Sequence, residues 1–117
     1  MRIEYDGKKI TPRTPLSKER INEADKFLPP VDNQEERCYF VETEKPEVML
    51  VNEKTESKIK FSYSGDTLPK FILWQSNASR DYALGLEPST TFLDDRFEYK
   101  IIKPEQKIVN KIEISFE

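Results

Sequence analysis

The chain has 117 residues, which fits one domain and leaves no room for two well-packed cores. Hydrophobic residues make up 36% and charged residues 35%, with seven Phe, five Tyr and one Trp to anchor a core, so the chain is globular but thinly provisioned. A net charge of −3 with the bases scattered among acids gives no footprint for nucleic acid or an anionic membrane, and no stretch approaches the roughly 18 to 20 apolar residues of a membrane span.

Met1 to Gly7 reads as a short strand ending at the Asp6-Gly7 turn. Thr11-Pro12-Arg13-Thr14-Pro15 follows as an extended linker, because each proline disfavours helical geometry in the residue before it. Ser17 is placed to cap a helix running to about Phe27, with Ile21, Ala24 and Leu28 on one stripe, before Pro29-Pro30 stops it. Residues 1–36 thus form an extended and helical lead-in that contributes little to burial. The beginning of the chain has no apolar signal-like core, so the expectation is a soluble cytoplasmic protein.

From Arg37 the apolar period shifts from 3.6 to 2. Strands are expected near residues 37–43, 46–52, 57–64, 70–75, 80–87, 97–102 and 106–116, which makes 37–117 an antiparallel β domain of sandwich type. Lys58 to Tyr63 alternates, as in a sheet with one wet face, whereas Phe71-Ile72-Leu73-Trp74 is apolar on both parities and belongs in mid-sheet. Cys38, the single cysteine, cannot form an internal disulfide and reads as a small core thiol. Asn77-Ala78-Ser79 fits a glycosylation pattern but reads as a polar turn.

The chain contains no histidine, which removes Ser-His-Asp and Cys-His triads and His-ligated zinc. Chemistry must then rest on carboxylates, Lys, Tyr or another chain. In Tyr82-Ala83-Leu84-Gly85-Leu86-Glu87, alternation puts Ala83, Gly85 and Glu87 on one face. Two minimal side chains beside an acid suggest a hollow over the strand, and glycine within a strand often marks the approach of a ligand. The plainer alternative is an exposed Glu87 at a strand end, with Pro88 blocking further pairing. Trp74 is a candidate stacking platform and Gln75 a hydroxyl partner, against the commoner role of such residues in a core. Arg80 and Asp81 suit an acidic or phosphorylated ligand, or simply pair with each other in solvent. Asp94, Asp95 and Glu98 match no calcium-loop spacing and read as solvated loop acids.

Leu68-Pro69-Lys70-Phe71-Ile72-Leu73-Trp74-Gln75, followed by Tyr82-Ala83-Leu84-Gly85-Leu86-Glu87-Pro88-Ser89-Thr90-Thr91, resembles the late strands of the galactose mutarotase-like (aldose 1-epimerase-like) family. The resemblance runs from about Glu47 to the end and includes Phe97-Glu98-Tyr99 and Lys103-Pro104-Glu105, although Glu105-Gln106 departs from the family's Gly-Glu order. It implies the C-terminal part of a sugar-binding β-sandwich, with Glu87 as the general base that takes the proton of the anomeric hydroxyl. It also implies a monosaccharide or phosphosugar as ligand, contacts from Trp74, Gln75 and Arg80, and no metal or organic cofactor. Sheltering Glu87 from water would suit it to a weakly acidic sugar hydroxyl. The family's acid is a histidine, absent here, and its members are more than twice this length. The expectation is therefore an inactive portion of an epimerase, completed by further sequence or a partner, with a non-catalytic carbohydrate-binding module or a self-associating β domain as alternatives.

Overall fold

The computed structural model describes the backbone of residues 1–117 and every side chain except that of Lys8. In chain order the elements are β1 (Arg2–Glu4), β2 (Gly7–Pro12), α1 (Pro15–Glu19), a 3-10 turn (Ile21–Glu23), β3 (Arg37–Thr43), β4 (Glu47–Asn52), β5 (Ser57–Tyr63), β6 (Lys70–Ala78), β7 (Asp81–Ser89) and β8 (Ile112–Phe116). Two four-stranded antiparallel sheets result, ordered β1-β4-β5-β8 and β2-β3-β6-β7. The fold is mainly β and sandwich-like.

Strand alternation builds the core. In the second sheet Tyr39 pairs with Leu73 and Val41 with Phe71, and this parity faces the first sheet, where Ile3, Val48 and Tyr63 meet it. Tyr63 stacks on Phe71 at 5.9 Å between ring centroids, and its hydroxyl lies 3.0 Å from Thr43 Oγ1. The other parity of the second sheet, Cys38, Phe40 and Ile72, is buried against Phe92 from the chain beyond β7. Phe71 to Leu73 are therefore covered on both sides, and β6 lies between β3 and β7, as the two-sided apolar run predicts. Cys38 is a buried free thiol in this second cluster.

The first 36 residues depart from the expected lead-in. β1 joins one sheet and β2 the other, and Ile3, Ser17 and Ala24 are buried. The linker reading of Thr11-Pro12 fails because β2 is an edge strand, where a terminal proline forfeits no pairing. The helix is also shorter and starts earlier. Pro15 occupies its first turn and Thr14 is the cap, with Oγ1 accepting from Ser17 N at 3.2 Å. Ser17 is instead a tertiary residue whose Oγ accepts from the backbone N–H of Cys38 at 2.8 Å. Residues 97–102 form no strand, and the segment expected over 106–116 is strand only at Ile112–Phe116.

A buried guanidinium holds the lead-in to the sheet. Arg37 is 1% exposed. It donates to the backbone carbonyls of Glu23 and Lys26 at 3.2 and 3.1 Å, to Gln75 Oε1 at 2.6 Å, to Asn77 Oδ1 at 3.2 Å and to the Tyr39 hydroxyl at 3.3 Å. Among the described residues no carboxylate pairs with it, so carbonyl oxygens and the Tyr39 hydroxyl compensate its desolvation, and Nε alone is left without a hydrogen-bond partner. Gln75 Nε2 donates in turn to Ala24 O at 2.8 Å and Asn77 Nδ2 to Leu28 O at 3.0 Å. Asn77 is thus a buried member of β6, not the tip of a polar turn.

Arg37→Ala strips partners from several buried acceptors and is expected to destabilise the fold by about 3 kcal/mol, measured by urea unfolding. A second expectation concerns alkali. Burial first, and then nearby Asp25, push the Tyr5 phenol up to about 12, and burial also raises Tyr39 and Tyr63. Each pKa is higher folded than unfolded, so the stabilisation is complete below pH of about 10 and is lost as pH rises from there. Melting temperature should fall from about pH 10 towards 12, and Tyr5→Phe should flatten that fall.

Candidate site on the outer face of the second sheet

The side of the second sheet turned away from the first carries Trp74, Gly85 and Glu87. Register fixes two neighbouring rows. Cys38, Trp74 and Gly85 form one, extended across β2 by Arg13, whose N–H donates to Cys38 O at 2.9 Å. Thr11, Phe40, Ile72 and Glu87 form the other. The chain after β7 turns back over part of this face and lays Phe92 on Phe40, with ring centroids 5.2 Å apart. Arg96 covers Phe92 from outside, its guanidinium carbon 4.3 Å from the ring centre. One part of the face is therefore closed, and the part bearing Trp74, Gly85 and Glu87 is open.

Glu87 is exposed, at an edge strand on this open part. The expected hollow around it is absent, because Phe92 fills the space over Phe40 and Ile72. Pro88 does not stop the strand, since it still pairs with Phe71. The glycine does have the anticipated steric effect. The Glu87 carboxylate lies back along β7 over Gly85, so that a Cβ at position 85 would collide with Glu87 Oε1 and stand 3.3 Å from Trp74 Cβ. The absence of a side chain at Gly85 leaves the space that the acid takes up, near Trp74 Cβ.

Trp74 is half-buried, and its Nε1 donates to Glu36 Oε2 at 2.8 Å. The indole is thus held by Glu36 at its polar end, and Glu87 lies over Gly85, the register partner of Trp74. Arg13 approaches from β2 and supplies positive charge. Between them the Cys38 thiol is pushed up by burial, with Arg13 opposing that shift, and a buried protonated thiol of this kind is chemically quiet.

The other expected contacts lie elsewhere. Gln75 points to the opposite face of β6 from Trp74, is fully buried, and has both ends of its amide engaged by Arg37 and Ala24. Alternation alone separates it from its neighbour. Arg80 sits in the β6–β7 turn, in an open depression bordered by Asp32 to Glu35, roughly 23 Å from Glu87 at 3.3 Å per residue. Asp94 is taken by Arg96, which contacts Oδ2 from Nη2 at 2.6 Å and from Nε at 3.0 Å, and this pairing holds its carboxyl below the usual range. Among the described residues no group of three His, Cys, Asp or Glu side chains is placed to hold a metal ion.

Glu36 and Arg13 belong to the face but carry no motif of their own. Glu36 has the parity of Cys38 and could be placed by extending β3 one residue. Arg13 required knowing that β2 exists.

A two-sheet antiparallel sandwich with a half-buried tryptophan and two carboxylates, Glu36 and Glu87, on one outer face is the class that these observations define. Within it, the chain belongs to the family described as a domain of unknown function, DUF4432, whose model matches residues 1–104. The match takes in the lead-in together with every strand through β7. Comparison with curated proteins and with solved structures gives no significant match.

Gly85→Ala should displace the Glu87 carboxylate while leaving the sheet intact, because the colliding atom is the free end of a flexible side chain. A melting temperature near that of the parent, with changed amide chemical shifts confined to Trp74, Gly85 and Glu87, is the expected result. Unchanged shifts at Glu87 would show that its carboxylate does not rest there.

Proposed function

We propose that the open part of this face recognises a monosaccharide and forms one half of an aldose 1-epimerase-type centre, with Glu87 as the group that receives the proton of the anomeric hydroxyl. One observation carries the reading: the Glu87 carboxylate lies beside Trp74 over a glycine, on a face with free access. Sugars present apolar C–H patches that stack on an indole, and hydroxyls that donate well to carboxylates. Glu87 and Glu36 supply two such acceptors around one ring system. The mutarotase-like order of Leu68-Pro69, Trp74 and Leu86-Glu87-Pro88 supports the same assignment.

In this chemistry a base removes the proton from the anomeric hydroxyl as the bond from the anomeric carbon to the ring oxygen breaks, and an acid delivers a proton to that oxygen. Rotation of the freed aldehyde and reclosure give the other anomer. Glu87 fits the first role. The chain has no histidine for the second, and its face gives Glu87 no shelter from water, so the isolated chain binds without turning over. Gln75 and Arg80 take no part in this site, while Glu36 and Arg13 join it.

Titration of labelled protein with galactose, glucose and a sugar phosphate, followed by amide and indole N–H chemical shifts, tests the reading. Shifts at Trp74, Gly85 and Glu87 are expected. Glu87→Gln should weaken binding about tenfold through loss of a charge-assisted hydrogen bond. Polarimetry of freshly dissolved α-sugar should show no rate above buffer. Absence of any shift at tens of millimolar sugar would remove the carbohydrate assignment.

A further inference from the structure

β8 closes the first sheet on one side and pairs only with β5. All five of its residues are exposed, and its inward parity carries Ile112, Ile114 and Phe116 at 54%, 61% and 85% exposure. These side chains continue the face on which Ile59, Phe61 and Tyr63 stand, in direct register with Phe116, Ile114 and Ile112. An apolar row on a free edge is an open template for another strand.

The hydrogen-bond parity identifies which backbone groups are free. Ser64 N donates to Lys111 O at 3.0 Å and Glu117 N donates to Lys58 O at 3.0 Å, so the odd-numbered residues of this strand turn their N–H and C=O groups towards β5. Ile112, Ile114 and Phe116 therefore turn theirs outward. An antiparallel neighbour must meet those three residues in hydrogen-bonded pairs. A two-fold axis at Ile114 does so with the strand's own sequence: Ile114 faces Ile114 of the second copy, and Ile112 faces Phe116 in both directions. The same axis sets Lys111 opposite Glu117, twice, on the other face of the sheet, at the closely spaced non-hydrogen-bonded positions where side chains interact best.

We propose that β8 is a homodimerisation edge, pairing antiparallel with β8 of a second copy across a two-fold axis at Ile114 to give a continuous eight-stranded sheet. Backbone parity, apolar face and charge order all agree on this one register. Such an interface is isologous, since the same segment serves both partners. The site on the second sheet is not involved, and the two proposals stand or fall separately.

The test is sedimentation equilibrium of the full chain and three variants, over low to high micromolar concentration. The parent should dimerise. Lys111→Glu, which turns two opposite-charge pairs into like-charge pairs, should weaken the dimer about tenfold, and Lys111→Glu combined with Glu117→Lys should restore it to within about twofold of the parent. Ile114→Pro removes an N–H that points away from β5, so it should yield a monomer whose circular dichroism matches that of the parent. A parent that stays monomeric throughout, as it would if the edge served a strand of a different protein, overturns the proposal. So does a dimer indifferent to Lys111→Glu and Ile114→Pro, or a double variant weaker than the single one.

Discussion

The buried guanidinium of Arg37 is the constraint on which the rest of the structure depends. β3 and β6 place Arg37, Gln75 and Asn77 side by side, and this polar end of the sandwich would be untenable if left open. The 3-10 turn and the residues after it close it, because the carbonyls of Glu23, Ala24, Lys26 and Leu28 are the acceptors that the three side chains need. The lead-in is thus ordered by a demand from the sheet. Each carbonyl bond contributes modestly by itself, whereas the same groups buried without partners would cost several kcal/mol together. This explains how a segment with few apolar residues packs as firmly as Ala24 and Ser17 do.

The outer face of the second sheet follows another logic. Near β3 it is sealed by Phe92 and Arg96, and near β7 it is left bare around Trp74, Gly85 and Glu87. A carboxylate on an open sheet face is a good hydrogen-bond acceptor, for which water competes with any ligand.

Much of the fold was legible in the sequence because the strands from Arg37 onward carry strong alternation or, in Phe71 to Trp74, a telling lack of it. β2 was not legible, because an edge strand buries little and Pro12 resembles punctuation. The helix was misplaced because Ser17, a good cap by type, was needed as an acceptor for the Cys38 N–H, and Thr14-Pro15 offered an equally good start. Phe97, Tyr99, Ile101 and Ile102 have strand-like composition yet pair with no strand, and composition alone does not say which segments a sheet takes up. At the site, parity placed Glu87 with Gly85 correctly, yet it could not foresee Phe92 filling the neighbouring space. Parity also separates Gln75 from Trp74, which their adjacency in the motif obscured.

β1 and β2 lie in different sheets although only Tyr5 and Asp6 divide them. Arg2 pairs with Val51 and Gly7 with Thr43, so both strands wait for partners made some forty residues later. Both strands precede their sheet partners in the chain, and closing such long loops slows folding. Their shortness and polarity then become an advantage, for a segment with so little to offer a stranger stays available until its own partners arrive.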